Sequence, residues 1–183
     1  MRKVILIILS MAAFAFSGDS FVLLESSKSG KELIKSVSDA VAKAGFTAAD
    51  ERDLNVAYQK QFEQSDFELF YNLTVFDPKA LSASLPQNPR LAGFVPYTVL
   101  IYQKKGDKKS YIGFVKQGSI SLATGVKDKK SLELLKKSEN TLIKELKASI
   151  KDTKDVALGY KVTPKEDPEL FFETKIKLKP TDN

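Results

Sequence analysis

The sequence predicts an α+β domain: an antiparallel or mixed sheet with helices packed on one face, extended by a β-hairpin at the C-terminus. Two observations carry this. Short runs rich in β-branched and aromatic residues recur along the chain, namely "FVLLES", "FELFYNLTVF", "YTVLIYQ" and "KSYIGFVK", and bounded runs of that kind form strands. Between and after them lie segments with apolar residues at helical spacing. The strands and helices do not alternate strictly, and two strands follow one another directly, so a purely parallel sheet is not expected.

The elements follow in order. Met1-Arg2-Lys3 is a short positive start, Val4 to Phe16 is apolar except for Ser10, and Ala15-Phe16-Ser17 offers small residues where a signal peptidase cuts. This pattern is a secretory signal peptide over residues 1–17. The apolar run is shorter than the ~20 residues that a spanning helix needs. No Cys follows it, so a lipid anchor at that point is excluded. The expected destination is a bacterial periplasm.

"FVLLES" (21–26) reads as the first strand. In the next segment Leu33, Ile34, Val37, Ala40, Val41 and Ala44 form one helical stripe. Ser29 is placed as its N-cap, Glu32 completes a capping box, and Gly45 closes it in the left-handed conformation with Phe46 packing back. "TAADERDLNVAYQKQFEQSD" is polar, with Leu54, Tyr58 and Phe62 every four residues, which predicts a short surface helix. "FELFYNLTVF" (67–76) is the most β-prone run and is expected to be central in the sheet. Asp77-Pro78 caps and opens a helix over about 79–85, and Pro86 and Pro89 stiffen the loop beyond. "YTVLIYQ" and "KSYIGFVK" form two strands around Gly106-Asp107, with lysines keeping the turn in water. Residues 131–150 give the clearest helix, with Leu132, Leu135, Leu142, Leu146 and Ile150 inward and Ser131 as N-cap. After Lys151 the character changes: "VALGYKV" and "LFFETKIKLK" read as a hairpin over 152–183. The main domain is thus 18–151.

Composition excludes much chemistry. The chain has no His and no Cys, and its two Met are Met1 and Met11. After cleavage it carries no His, Cys, Met or Trp. Structural zinc, iron–sulfur and blue-copper sites lose their ligands. No Ser-His-Asp or Cys-His pair can form, and a base acting near neutral pH would have to be a perturbed Asp, Glu, Lys or Tyr. The carboxylates Asp50, Glu51, Asp53, Asp66, Glu68, Glu166 and Asp167 lie in polar surroundings that read as solvated surface. No phosphate-cradling glycine loop or nucleophile elbow is present. No cofactor and no metal are expected.

The formal charge of +6 falls to +4 once Arg2 and Lys3 leave. Only Arg52 and Arg90 then remain among the cations that are not Lys. Nucleic-acid readers favour the planar arginine fork, so nucleic acid is not the expected partner. The surplus reads as a solvated surface with weak attraction to anionic lipid or cell-wall polymer. Among the aromatics, Tyr71, Tyr97 and Tyr102 stand out, because a buried tyrosine hydroxyl needs a partner and such groups around an apolar cavity bind small ligands.

The segments "AGF", "DERDLN", "KQFEQSDFELFYNLTVFDP" and "FVPYTVLIYQKKGDKKSYIGFV", followed by the last long helix, resemble in order the domain of unknown function 302 family, over about residues 21–150. The resemblance implies a compact α+β domain, often dimeric, without an agreed activity, and points to an exported bacterial branch. It places Asp53, Asn55, Lys60, Phe62 and Pro96 in signature segments. The candidate binding residues are therefore Asp53, Asn55, Lys60, Phe62, Tyr71, Pro96, Tyr97 and Tyr102. The plainer reading of Asp53 and Asn55 is that they cap or turn the backbone, and of Pro96 that it marks the start of a strand. The functional expectation is a periplasmic, non-catalytic module that binds a small apolar or amphipathic ligand or an envelope protein. The alternatives are a structural homodimer and a hydrolase-like enzyme built on carboxylate, Lys or Tyr.

Overall fold

A computed structural model describes residues 21–93 and 97–157, with the side chains of 121–123 excepted. Six antiparallel strands form one sheet in the order β2-β3-β4-β5-β1-β6. In chain order the elements are β1 (Phe21–Ser26), α1 (Gly30–Lys43), β2 (Thr47–Asp53), α2 (Leu54–Phe62), β3 (Phe67–Phe76) and α3 (Pro78–Ser84). A 3₁₀ turn (Pro89–Gly93) leads to β4 (Tyr97–Lys104), β5 (Ser110–Val115), α4 (Gln117–Thr124), α5 (Lys129–Ser149) and the two-residue β6 (Lys154–Asp155).

Alternation along the strands gives the sheet two faces. Val22 and Leu24, Leu73 and Val75, Val99 and Ile101, and Ile112 and Phe114 all point inward and are buried. Helices α1 and α5 cover this inner face. Leu33, Val37, Ala40 and Val41 from α1 join Leu135, Leu142, Leu146 and Ile150 from the α5 segment in the same cluster. Each such side chain contributes roughly 1.5–3 kcal/mol by leaving water, so this layer supplies most of the driving force for folding. The other face holds Leu23, Thr98, Leu100, Tyr102, Tyr111 and Val115, all half-buried.

Several local expectations hold. Gly45 ends α1 at φ +83°. The Phe46 and Gly45 amides donate to the carbonyls of Val41 and Ala42 at 3.1 and 3.0 Å, the paired bonds of a Schellman stop. Asp77 caps α3 by accepting from the Lys79 and Ala80 amides. Gly106, at φ +83°, turns β4 into β5.

Four readings need correction. Residues 47–53 form strand β2 rather than loop or helix; it is exposed and, among the described strands, pairs with β3 alone. An edge strand has no apolar face to reveal it, and pairing with β3 is what orders it. Residues 117–124 form α4, which sparse and small side chains concealed. Ser29 occupies the N-cap of α1 but makes no side-chain cap bond; Glu32 pairs with Lys28 at 2.8 Å instead. The cap of α5 is Asp128, which accepts from the Ser131 amide at 2.8 Å. Ser131 is buried, and its hydroxyl accepts from Asn88 Nδ2 at 3.0 Å. The C-terminal hairpin expected over 152–183 lies beyond residue 157, outside the described residues. Within them, Lys154–Asp155 pairs with β1, and the Val156 amide donates to the Leu23 carbonyl at 2.9 Å.

Candidate functional site

The connection between β2 and β3 positions most of the predicted site residues. Asp53 caps α2 by accepting from the Asn55 amide at 2.9 Å. Asn55 then clamps the helix to the foot of β3. Its Nδ2 donates to the Phe67 carbonyl at 3.1 Å, and its Oδ1 accepts from Ser65 Oγ. Ser65 Oγ in turn accepts from the Phe67 amide at 3.1 Å. Glu63 ends α2 at φ +62°, an uncommon backbone for a residue with a side chain. The helix buries none of its own residues, and Val56 and Phe62 are 65% and 44% exposed. Lys60 is exposed as well.

Beneath α2 the outer face of the sheet is aromatic. Strict alternation would send Phe67 and Phe70 to opposite faces. The register shift between Phe67 and Leu69 is a bulge that re-aims the chain, so both rings come to the outer side and stack at 4.5 Å. Tyr58 of α2 sits edge-on to Phe67 and Phe70 at 6.1 and 6.2 Å and contacts Phe62 at 4.6 Å. Phe70, Tyr102 and Tyr111 occupy paired positions on β3, β4 and β5. Tyr102 meets Phe67 edge-on at 6.3 Å and stacks on Tyr111 at 5.1 Å. The row ends at Glu25 of β1, which pairs with Lys109. Behind it, Leu23 leans over Gly113, where a Cβ would lie 3.3 Å from Leu23 Cδ1. Among the described elements, α2 alone packs on this face.

The other candidates lie elsewhere. Tyr71 belongs to the inner side, at the β2 edge, where its hydroxyl donates to Glu51 Oε2 at 2.9 Å. Burial, and then the bond to and charge of Glu51, raise its pKa, with smaller contributions from Asp53 and Asp50. Tyr97 is buried at the far end of the inner side, edge-on to Phe46 at 6.1 Å. Burial pushes its pKa up, the nearby Gln117 side chain tempers this, and the charges of Glu139 and Asp77 add to it. No hydrogen bond of ordinary geometry reaches Tyr97 Oη among the described residues. Pro96 lies outside the described residues. The structure thus gathers Asp53, Asn55, Lys60, Phe62 and Tyr102 at one aromatic shelf and leaves Tyr71 and Tyr97 apart.

Around Tyr97 lies a polar cluster that pattern reading did not find. Phe46, Asp77, Ala80, Leu81, Gln117, Leu135 and Ser138 surround a cavity of about 10 Å³ beside the hydroxyl, near the lower limit for one water. Ser138 Oγ donates to Asp77 Oδ2 at 2.7 Å. The carboxylate of the buried Glu139 accepts from the Gln117 amide at 2.5 Å, holding the start of α4. The signal was present: Glu139 falls four residues after Leu135 and three before Leu142, next to the apolar stripe of α5. Among the described residues no group of three or more Asp or Glu is placed to hold a metal, and no helix is long and apolar enough to cross a membrane.

The family model for a domain of unknown function, DUF302, matches residues 23–150. The chain belongs to the DUF302 family. A crystal structure of an uncharacterized conserved DUF302 protein from Bacillus stearothermophilus superposes with a TM-score of 0.63 at 18% identity, covering 72% of this chain and 98% of that one. At that identity the likeness concerns the fold. Among curated proteins, none matches. The matched region takes in both the aromatic shelf and the Tyr97 cluster, so both are built on the DUF302 core.

Proposed function

We propose that this DUF302 protein is an exported, non-catalytic binding module that docks an envelope protein on the outer face of its sheet. The observation that carries the reading is the aromatic shelf, whose exposed Phe62 and half-buried Tyr58, Tyr102 and Tyr111 surround the buried Phe67 and Phe70. Tyrosine and phenylalanine are enriched at the centres of protein interfaces, and tyrosine adds a polar tip to a large apolar ring. Lys60, Lys104 and Glu68 supply the charged rim that such interfaces carry. A small apolar ligand fits the molecule less well. The cavity at Tyr97 has room for about one water, and the larger concavity lies open on α5 among lysines. The carboxylates Asp128 and Asp152 shift downward, away from the raised values that general acids and bases need.

Site-specific photo-crosslinking tests this. A crosslinker at Tyr102 or Phe62 should give a heteromeric adduct in the periplasm, whereas one at Lys137 on the helical layer should not. The reconstituted complex should lose affinity on Tyr102→Ala or Phe62→Asp with little change in thermal stability. An adduct of twice the chain mass would establish the structural homodimer instead. Export has its own check: the protein from the periplasmic fraction should begin at Gly18 by mass spectrometry, and a full-length chain retained in the membrane overturns it.

A further inference from the structure

The solvent side of α5 carries a charge pattern that the docking face does not use. Lys130, Lys137 and Lys144 recur every seven residues and lie opposite the buried stripe of Leu135, Leu142 and Leu146. At 1.5 Å per residue the three ammonium groups stand ~10 Å apart along a line of ~20 Å. Lys129 and Lys136 flank the row. None of these five forms an ion pair with another described residue, although Lys147 nearby pairs with Asp155 at 2.7 Å. Acidic groups are fewer: Glu139 is buried, leaving the exposed Glu133, the half-buried Glu145 and, at the N-cap, Asp128, whose charge interacts with that of Lys130. Between the lysines the surface dips into a shallow depression of about 370 Å³ lined by Glu133, Lys136, Lys137, Asn140, Thr141 and Lys144.

We infer that this face of α5 binds a linear phosphate polymer, an extended chain bearing phosphates in series, through the Lys130–Lys137–Lys144 row. Three features select this partner. The charges form a line rather than a cluster, which suits a chain more than a single anion. The surface between them is concave and offers Asn140 and Thr141 as hydrogen-bonding groups. It exposes no large apolar side chain to enter a bilayer and no aromatic ring to stack a base; an interfacial helix uses an apolar face for insertion, and that of α5 is committed to the core. The attraction is therefore electrostatic and governed by counterion release.

The test is calorimetric titration of the full chain with long-chain inorganic polyphosphate at low and moderate salt. Binding should weaken steeply with salt. The triple variant K130Q/K137Q/K144Q should bind at least tenfold more weakly, with a log–log salt slope shallower by about two. A control, K31Q/K105Q/K108Q, removes the same charge from the start of α1 and the β4–β5 turn and should stay within twofold of the parent. All six side chains are exposed, so circular dichroism should show every variant folded. Equal losses in both variants would reduce the effect to net charge and overturn the proposal, as would absence of binding by the parent at low salt. So would salt-sensitive binding to phosphatidylglycerol vesicles, beyond that to neutral vesicles and lost in the triple variant, without binding to polyphosphate.

Discussion

The two faces of this one sheet are built from different apolar side chains and pack differently. On the inner face, aliphatic side chains of β1, β3, β4 and β5 meet α1 and α5, and Leu24, Leu73, Val99, Ile101 and Ile112 are fully buried. On the outer face the corresponding positions hold rings and half-buried aliphatics, with Phe67 and Phe70 buried, and among the described elements α2 lies over them. Aliphatic side chains interdigitate and seal a layer at native density. The contrast teaches that exposure among the described residues is a property of residue type as much as of topology: the aromatic face leaves Tyr58, Tyr102 and Tyr111 half-buried, whereas the aliphatic face is closed.

The sharpest way to break this comparison is to cut matched side chains from the two faces. Leu73→Ala on the inner face should destabilise the fold by about 2–5 kcal/mol in denaturant melts. Leu100→Ala on the outer face should cost well under half as much. Equal costs would mean that the outer face is sealed too.

A smaller effect is expected at the polar end of the inner layer. Glu139→Ala removes the acceptor that holds the Gln117 amide and should cost about 1–3 kcal/mol, with loss of amide-exchange protection across α4. Protection of α4 equal to that of the parent would show that its start is held by other groups.

Acid should next loosen the seam between β1 and the segment after α5. Asp152 accepts from Ser26 Oγ at 2.8 Å and from the Ser27 amide at 2.5 Å, as well as from the Ser27 hydroxyl. The Ser27 hydroxyl chiefly, with these other bonds, lowers its pKa from 3.8 to about 2. A carboxylate with a depressed folded-state pKa stabilises the fold above its unfolded value, and that stabilisation is lost as pH falls through the folded value. The urea midpoint should therefore drop between about pH 4 and pH 2, and less so in Asp152→Asn. An identical acid response in parent and variant would remove Asp152 from the account.

The smallest change is expected at Tyr97. Its hydroxyl is buried and makes no hydrogen bond of ordinary geometry among the described residues, with the Gln117 side chain nearby, so Tyr97→Phe deletes a poorly satisfied group and should be neutral or slightly stabilising. A loss above about 1 kcal/mol would mean that the hydroxyl is satisfied through a bound water.

Much of the fold was legible in particular residues. β1 and β3 were read at the bounds they adopt, because β-branched and aromatic runs of that length have few alternatives. α1 ended where Gly45 placed it, and α3 began where Asp77 capped it. β2 was not legible: "TAADERD" has neither propensity nor an apolar face, and it is a strand only because β3 offers it a ladder. The N-caps at Ser29 and Ser131 show the other limit. Capping residues can be recognised by type, but which of several polar neighbours accepts the orphan amides depends on where Lys28, Asn88 and Asp128 come to rest. For the site, Asp53 and Asn55 were found by sequence with capping or turning the backbone as their plainer role; Asp53 does cap α2, and the clamp that Asn55 makes on Ser65 and Phe67 emerged from geometry. The shelf was hidden because a bulge at Phe67–Leu69 overrides the period-two rule that pattern reading depends on.

The sequence by itself determined the repertoire: α+β elements, a chain free of imidazole and, beyond its first residues, of sulfur, and a lysine-dominated surface. These follow from local propensity and side-chain chemistry, which need no knowledge of distant contacts. Only the tertiary structure decided which face of the sheet is sealed, that Phe67 and Phe70 share a side, and that Glu139 turns inward to hold α4. Each of those outcomes depends on register and packing between residues far apart in the chain, and such contacts have no local signature.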